Sequence, residues 1–291
     1  MPITRRSFPR EVTDAVAHCG MAHEVRRELF RPPADPVWGT LVWPRDAPVA
    51  AAILIGGSGG QEPDYLTEPL AAAGIAALSV AYFARPALPP SLANIELRYF
   101  ERALELLRAR IGDPSLPIAV LGQSRGSEAA LLAGVHFNKL VASVVATVPA
   151  NLTLCGYPDG GPAWLLDGDA LPWAEEFGPD CDDPAALIAV EHINGPVMLV
   201  AAGADEVWPS ASMAKAISER LRAHGDRYGH RFLEYPDAGH TLGYLRPDLP
   251  ASVLPADLDD SPATQTARAD AWRQVLRFLR NLGPSRSLTA T

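Results

Sequence analysis

Cysteine is scarce in this chain of 291 residues: there are three, Cys19, Cys155 and Cys181. Thiols so few and so scattered do not build a disulfide framework. No CxxC or paired Cys/His spacing offers a zinc site, so no metal and no cofactor is expected. A reducing cytoplasm is the simplest location. Lysine is rarer still, limited to Lys139 and Lys215, so the positive charge rests on arginine. The formal net charge is −9, which argues against a sequence-independent grip on nucleic acid. No apolar run approaches the roughly 18 residues that a membrane helix needs, so no membrane partner is expected. Thr4-Arg5-Arg6-Ser7-Phe8 resembles a twin-arginine export signal. The following stretch carries Arg10, Glu11, Asp14 and His18 and has no apolar segment, so export is not expected. No internal repeat is visible.

What is present is an ordinary globular mixture, 48% hydrophobic and 20% charged. Length alone allows one large domain or two small ones. Short apolar runs at 37–42, 49–55, 75–80, 117–121, 140–148, 197–202 and 231–235 read as strands. Between and after them, helices are expected over 63–73, 94–111, 127–135, about 210–223 and 264–282. Alternation of nearly all-apolar strands with helices implies a mostly parallel, doubly wound α/β sheet covered on both faces. Residues 149–195 break the rhythm: they are rich in Gly, Pro and Asp, with Tyr157, Trp164, Trp173 and Phe177 interspersed. A long irregular insertion of this kind reads as a lid or a pocket wall. Its Tyr157, Trp164 and Trp173 are candidate substrate-binding residues, as is Gly57 in the early glycine loop. The whole chain reads as a single domain, 1–291, with its core at about 37–282.

Gly122-Gln123-Ser124-Arg125-Gly126 fits G-x-S-x-G, a pattern that is weak alone. Here a strand runs into it and a helix leaves it, which is the setting of a nucleophile elbow. The helix N-terminus would add backbone donors and a favourable dipole for a developing oxyanion. Gly56-Gly57-Ser58-Gly59-Gly60 is a second match. Its extra glycines and Pro63 delay the next helix, so it suits an oxyanion loop better than an elbow. Ser124 is the expected nucleophile, ahead of Ser58.

A serine hydroxyl needs a base. His240 lies just beyond the strand at 231–235, where active sites of open sheets gather. His136 and His230 read as structural or solvated. The orienting acid should follow another strand end, and Asp205 is the first carboxylate after 197–202, with Glu206 as the competitor. The order Ser124, Asp205, His240 is that of the α/β-hydrolase fold. The oxyanion donors would be the N–H of Arg125 and that of Ser58, with Gly57 as the alternative. The Arg125 side chain could pair with an anionic substrate group or form a salt bridge with Glu128.

Four blocks resemble the C-terminal catalytic domain of the acyl-CoA thioesterase / bile acid-CoA:amino acid N-acyltransferase family. They are Gly56-Gly57-Ser58-Gly59-Gly60-Gln61-Glu62; Ala81-Tyr82-Phe83 with Leu97-Arg98-Tyr99-Phe100-Glu101-Arg102-Ala103; Leu121 to Glu128, where the family commonly has a basic residue at position 125; and Gly239-His240 with the tail Gln265 to Leu279. They span about 37–282. The resemblance implies cleavage of an acyl thioester through a covalent acyl-enzyme, completed by water, an amine or an alcohol. The substrate would be a small-molecule acyl-CoA or an acyl-carrier-protein thioester, or an ester as in carboxylesterases and dienelactone hydrolases. A biosynthetic acyltransferase or cyclase, or an inactive binding scaffold, would use the same fold. Family members carry an N-terminal immunoglobulin-like sandwich. Only about 36 residues precede the first expected strand, so that module is expected to be absent. The family's amino-acid transferases use Cys as nucleophile, so Ser124 leans toward hydrolysis.

Overall fold

The computed structural model describes residues 25–175, 183–250 and 252–283. The twin-arginine-like stretch, His18, Cys19, His23, Phe177 and Cys181 lie outside the described residues. In chain order the strands are β1 Arg27–Phe30, β2 Trp38–Val42, β3 Ala50–Ile55, β4 Ile75–Ala81, β5 Ile95–Glu96, β6 Ile118–Gln123, β7 Ser143–Thr147, β8 Trp164–Leu166, β9 Asp169–Ala170, β10 Val197–Ala202 and β11 Arg231–Tyr235. The helices are α1 Thr67–Ala72, α2 Arg98–Ile111, α3 Arg125–His136, α4 Ser210–Ala223 and α5 Pro262–Arg280.

Among the described residues, eight strands form one sheet in the order β1-β2-β4-β3-β6-β7-β10-β11. Only the β1–β2 and β2–β4 pairs are antiparallel. The others run parallel. Strand alternation divides the sheet's side chains between two cores. Ile53, Ile55, Leu78 and Val80 join Leu107 of α2, Leu131 of α3 and Ile217 of α4. Ala52, Leu54, Ala77 and Val200 join Leu70 of α1 and Val275 and Leu279 of α5. Burial on both faces is why these strands read as unbroken apolar runs. Each buried aliphatic side chain contributes about 1.5–3 kcal/mol. Helix α5 starts where Pro262 follows Ser261, whose hydroxyl accepts the Thr264 N–H. No helix among the described residues is long and apolar enough to cross a membrane.

Three departures from the sequence expectations have physical causes. The helix expected from residue 94 begins only at Arg98, because Ile95–Glu96 pairs in parallel with Trp164–Leu165. Asn94 turns the chain into that strand with φ of 53°. The first strand is β1, ahead of residue 37; it is an edge strand whose Leu29 side chain points to solvent, so its four residues carry little apolar signal. The insertion is partly regular. It supplies β8 and β9, and its Leu152 and Leu154 pack with Ala174, Ala186, Trp208 and Met213 in a small core of their own.

Candidate active site

Strand β6 delivers Ser124 and helix α3 leaves from it. Ser124 has φ 54° and ψ −124°, a left-handed conformation that serine adopts only under constraint. The constraint comes from both glycines of the motif. A Cβ on Gly122 would lie 2.0 Å from the Gly126 carbonyl oxygen, and one on Gly126 would lie 2.3 Å from the Gly56 carbonyl oxygen. Strand, turn and helix thus interlock at distances that exclude any side chain. The helix begins at Arg125 rather than at residue 127, so the backbone N–H groups just after Ser124 belong to its first turn.

The expected base and acid meet this serine. His240 Nε2 lies 3.0 Å from Ser124 Oγ. Its Nδ1 lies 2.8 and 3.0 Å from the two carboxylate oxygens of Asp205. A carboxylate only accepts, so Nδ1 carries the proton, Nε2 is left as acceptor, and the Ser124 hydroxyl donates to it. Asp205 Oδ1 also accepts the N–H groups of Val207 and Trp208 at 3.0 and 3.2 Å. Trp208 stands edge-on to the imidazole, with ring centroids 5.5 Å apart. All three side chains are largely shielded from water, which strengthens each contact. Such a line can draw the proton from a serine hydroxyl as that oxygen attacks a carbonyl.

Place in the fold separates this set from a second Ser–His–Asp arrangement, which lies within α4 and just before β11. His230 Nε2 lies 2.7 Å from Ser218 Oγ and its Nδ1 lies 2.9 Å from Asp226 Oδ2. Ser218 is fully buried within α4, so its hydroxyl meets no substrate and the trio ties α4 to the start of β11. His136 closes α3, and burial lowers its pKa from the ordinary value.

The remaining candidates divide. Gly57 stands beside Ser124, since a Cβ there would lie 3.2 Å from Ser124 Cβ, whereas the neighbouring Ser58 is exposed. Arg125 does not present a free cation. Its Nε lies 2.6 Å from Glu128 Oε1, its Nη2 donates to the Leu154 carbonyl at 3.2 Å, and both charged side chains are nearly inaccessible. Of the two roles considered for this side chain, the salt bridge to Glu128 is formed.

Trp164 is corrected from pocket wall to core residue. It is 1% exposed, stacks on Tyr82 at 5.9 Å, and donates its indole N–H to Glu128 Oε2 at 2.9 Å. Trp173 donates to Glu175 Oε1 at 2.8 Å. The Tyr157 side chain is exposed and its backbone pairs with Leu92. Sequence reasoning missed the supporting role of Glu206. Rather than replacing Asp205, it accepts the His240 backbone N–H at 3.0 Å. Its place directly after Asp205 was the only signal in the sequence.

Sheet order, the turn at Ser124 and the strand-end positions of Asp205 and His240 define the α/β-hydrolase fold. Solved structures share the fold. A dienelactone hydrolase from Anabaena variabilis matches at a TM-score of 0.54 and 18% identity, over 89% of this chain and 97% of its own. An esterase from Pyrobaculum calidifontis matches at a TM-score of 0.57 and 18% identity, over 89% of this chain and 85% of its own. The chain resembles, more specifically, the acyl-CoA thioesterase / bile acid-CoA:amino acid N-acyltransferase family in its C-terminal catalytic part. The family model described as "BAAT / Acyl-CoA thioester hydrolase C terminal" matches residues 176–255, which include Asp205 and His240. Human acyl-coenzyme A thioesterase 6 is 29% identical over 87% of this chain and 65% of its own length. Rat acyl-coenzyme A amino acid N-acyltransferase 2 is 28% identical over 88% of this chain and 63% of its own. The chain therefore spans just under two thirds of these relatives.

Proposed function

We propose that this chain is a serine-dependent hydrolase or acyltransferase of acyl thioesters, with Ser124 as nucleophile, His240 as general base and acid, and Asp205 as the group that orients His240. The observation that carries this reading is the hydrogen-bonded line from Asp205 through His240 to a Ser124 held in a left-handed turn. Residues of about 37–282 act as one catalytic domain, with 149–195 as its insertion.

Ser124 Oγ attacks the thioester carbonyl carbon as its proton passes to His240 Nε2. The displaced electron pair on the carbonyl oxygen is met by the N–H of Arg125 and by that of Gly57 or Ser58. Re-forming the C=O bond breaks the C–S bond, and His240 returns the proton to the departing sulfur. Water then attacks the acyl-Ser124 ester and gives a proton to His240, which passes it to Ser124 Oγ as the ester C–O bond breaks, freeing the carboxylic acid and restoring Ser124. An amine in place of water gives an amide by the same steps. Tyr157 and Trp173 are proposed to contact the acyl or carrier part of the substrate, the carrier being CoA or an acyl carrier protein. The relatives' names support the thioester class.

The test compares initial rates on hexanoyl-CoA, hexanoyl-acyl-carrier protein and p-nitrophenyl hexanoate. Faster turnover per active site on one of the thioesters supports the assignment. A preference for the oxygen ester, with both thioesters inert, overturns the substrate class and leaves an ester hydrolase.

A further inference from the structure

We infer that Tyr82 is a positioning residue for the oxyanion loop, its hydroxyl fixing the two peptide planes from which the loop's N–H donor is drawn. The inference rests on the function proposed above and deepens it. Gly56-Gly57-Ser58-Gly59-Gly60 follows β3 and has little side chain with which to hold itself. Gly57 lies against Ser124, so this loop is placed to supply the second donor. A glycine-rich loop is free to rotate its peptide planes, and a rotated plane points a carbonyl oxygen where the donor is needed.

Tyr82 restricts that freedom, together with the Gly60 N–H, which donates to the Gly57 carbonyl at 3.3 Å. Its hydroxyl donates to the Gly56 carbonyl at 2.9 Å and reaches the Gly57 carbonyl at 3.2 Å. In a trans peptide the C=O and the following N–H share one rigid plane and point in opposite directions. The Gly56 carbonyl therefore sets the direction of the Gly57 N–H, and the Gly57 carbonyl sets that of the Ser58 N–H. Whichever of the two meets the oxyanion, Tyr82 aims it. Burial raises the pKa of this phenol well above its ordinary value, so it stays a donor throughout the working range.

The phenol ring is itself clamped. Trp164 stacks on it, Phe83 meets it edge-on at 5.0 Å, and Phe100 lies at 5.5 Å. Phe83 also fills the space beside Gly60, where a Cβ would come within 2.6 Å of its ring. Trp164 continues the chain to the other donor. Its indole N–H is held by Glu128 Oε2, which also accepts the Leu154 N–H at 3.0 Å, while Glu128 Oε1 pairs with Arg125. One buried cluster thus braces both arms of the oxyanion site, and Trp164 brings the insertion into it.

The experiment is Tyr82→Phe, which keeps the ring and its stacking and deletes one O–H. It is assayed on hexanoyl-CoA beside the wild type and Ser124→Ala, with working sites counted by end-point titration with a fluorophosphonate. The expected result is a 10- to 100-fold lower kcat per titrated site, with KM within about threefold. Trp164→Phe, which keeps an aromatic ring but loses the donor to Glu128, should lower kcat per site by a smaller factor. A Tyr82→Phe kcat per site within twofold of wild type overturns the inference. A loss of titratable sites with each remaining site fully active also overturns it, since that marks a merely structural role. If Ser124→Ala turns over like the wild type, the underlying triad reading fails and this inference fails with it. An inactive Ser124→Ala with a fully active Tyr82→Phe refutes the positioning role alone.

Discussion

Glu206 holds the main chain of His240: its Oε2 accepts the His240 N–H at 3.0 Å while its Oε1 accepts the Asp259 N–H at 2.7 Å. One carboxylate therefore ties the loop after β10, the loop after β11 and the segment leading into α5. Gly239 leaves room for this, since a Cβ there would meet Glu206 Oε2 and the Asp259 Cβ, each at 2.8 Å. Glu206→Gln replaces one acceptor by an NH2 group facing an N–H donor. The expected outcome is a kcat about 10- to 100-fold lower with little change in KM, because a small shift of the base misaligns proton transfer. Steady-state kinetics on hexanoyl-CoA measure it. An unchanged kcat would show that Asp205 and packing suffice to place His240.

The elbow glycines make a prediction about stability. In Gly126→Ala the new methyl meets the backbone oxygens of Gly56 and Ile55 at 2.3 and 2.5 Å, and neither can rotate away. The expected loss is about 3 kcal/mol or more, a fall in thermal midpoint of roughly 6–12 °C for a domain of this size. Gly59→Ala is the control, because nothing lies within 4 Å of its Cβ. Differential scanning fluorimetry of both variants should show a large shift for Gly126→Ala and almost none for Gly59→Ala.

Much of this candidate site is legible in the sequence alone. Strands buried on both faces announce themselves as apolar runs, and G-x-S-x-G between a strand and a helix locates Ser124. Asp205 and His240 stand out as candidates because open α/β sheets gather their chemistry at strand ends. Supporting roles were not legible. Trp164 reads like any loop aromatic, and only its contacts with Tyr82 and Glu128 make it a core residue. Arg125 has the same chemistry whether it faces a substrate or Glu128, and only position decides. Strand β5 was hidden because its two residues also fit the helical period of α2, and the pairing with β8 depends on residues far away in the chain.

A salt bridge outside the site makes stability depend on acid pH. Arg220 grips both oxygens of Glu191, at 2.5 and 2.6 Å. These bonds pull the Glu191 carboxyl from its ordinary 4.5 down to about 2. A depressed acid stabilises the fold fully above its unfolded pKa, and loses that contribution as the pH falls from about 4.5 toward about 2. Urea midpoints taken at about pH 5 and about pH 3 should fall less for Glu191→Gln than for the wild type. Equal falls would show that the pair does not respond to acid in this window.

The central claim is that Ser124 carries the acyl group. It is tested most directly by mixing the protein with excess hexanoyl-CoA, quenching in acid within milliseconds, and reading the intact mass with peptide mapping. A hexanoyl adduct on the peptide containing Ser124 is expected, formed before the acid product accumulates and missing from Ser124→Ala. Turnover of hexanoyl-CoA by Ser124→Ala at the wild-type rate, or an adduct mapped to another residue, would contradict it.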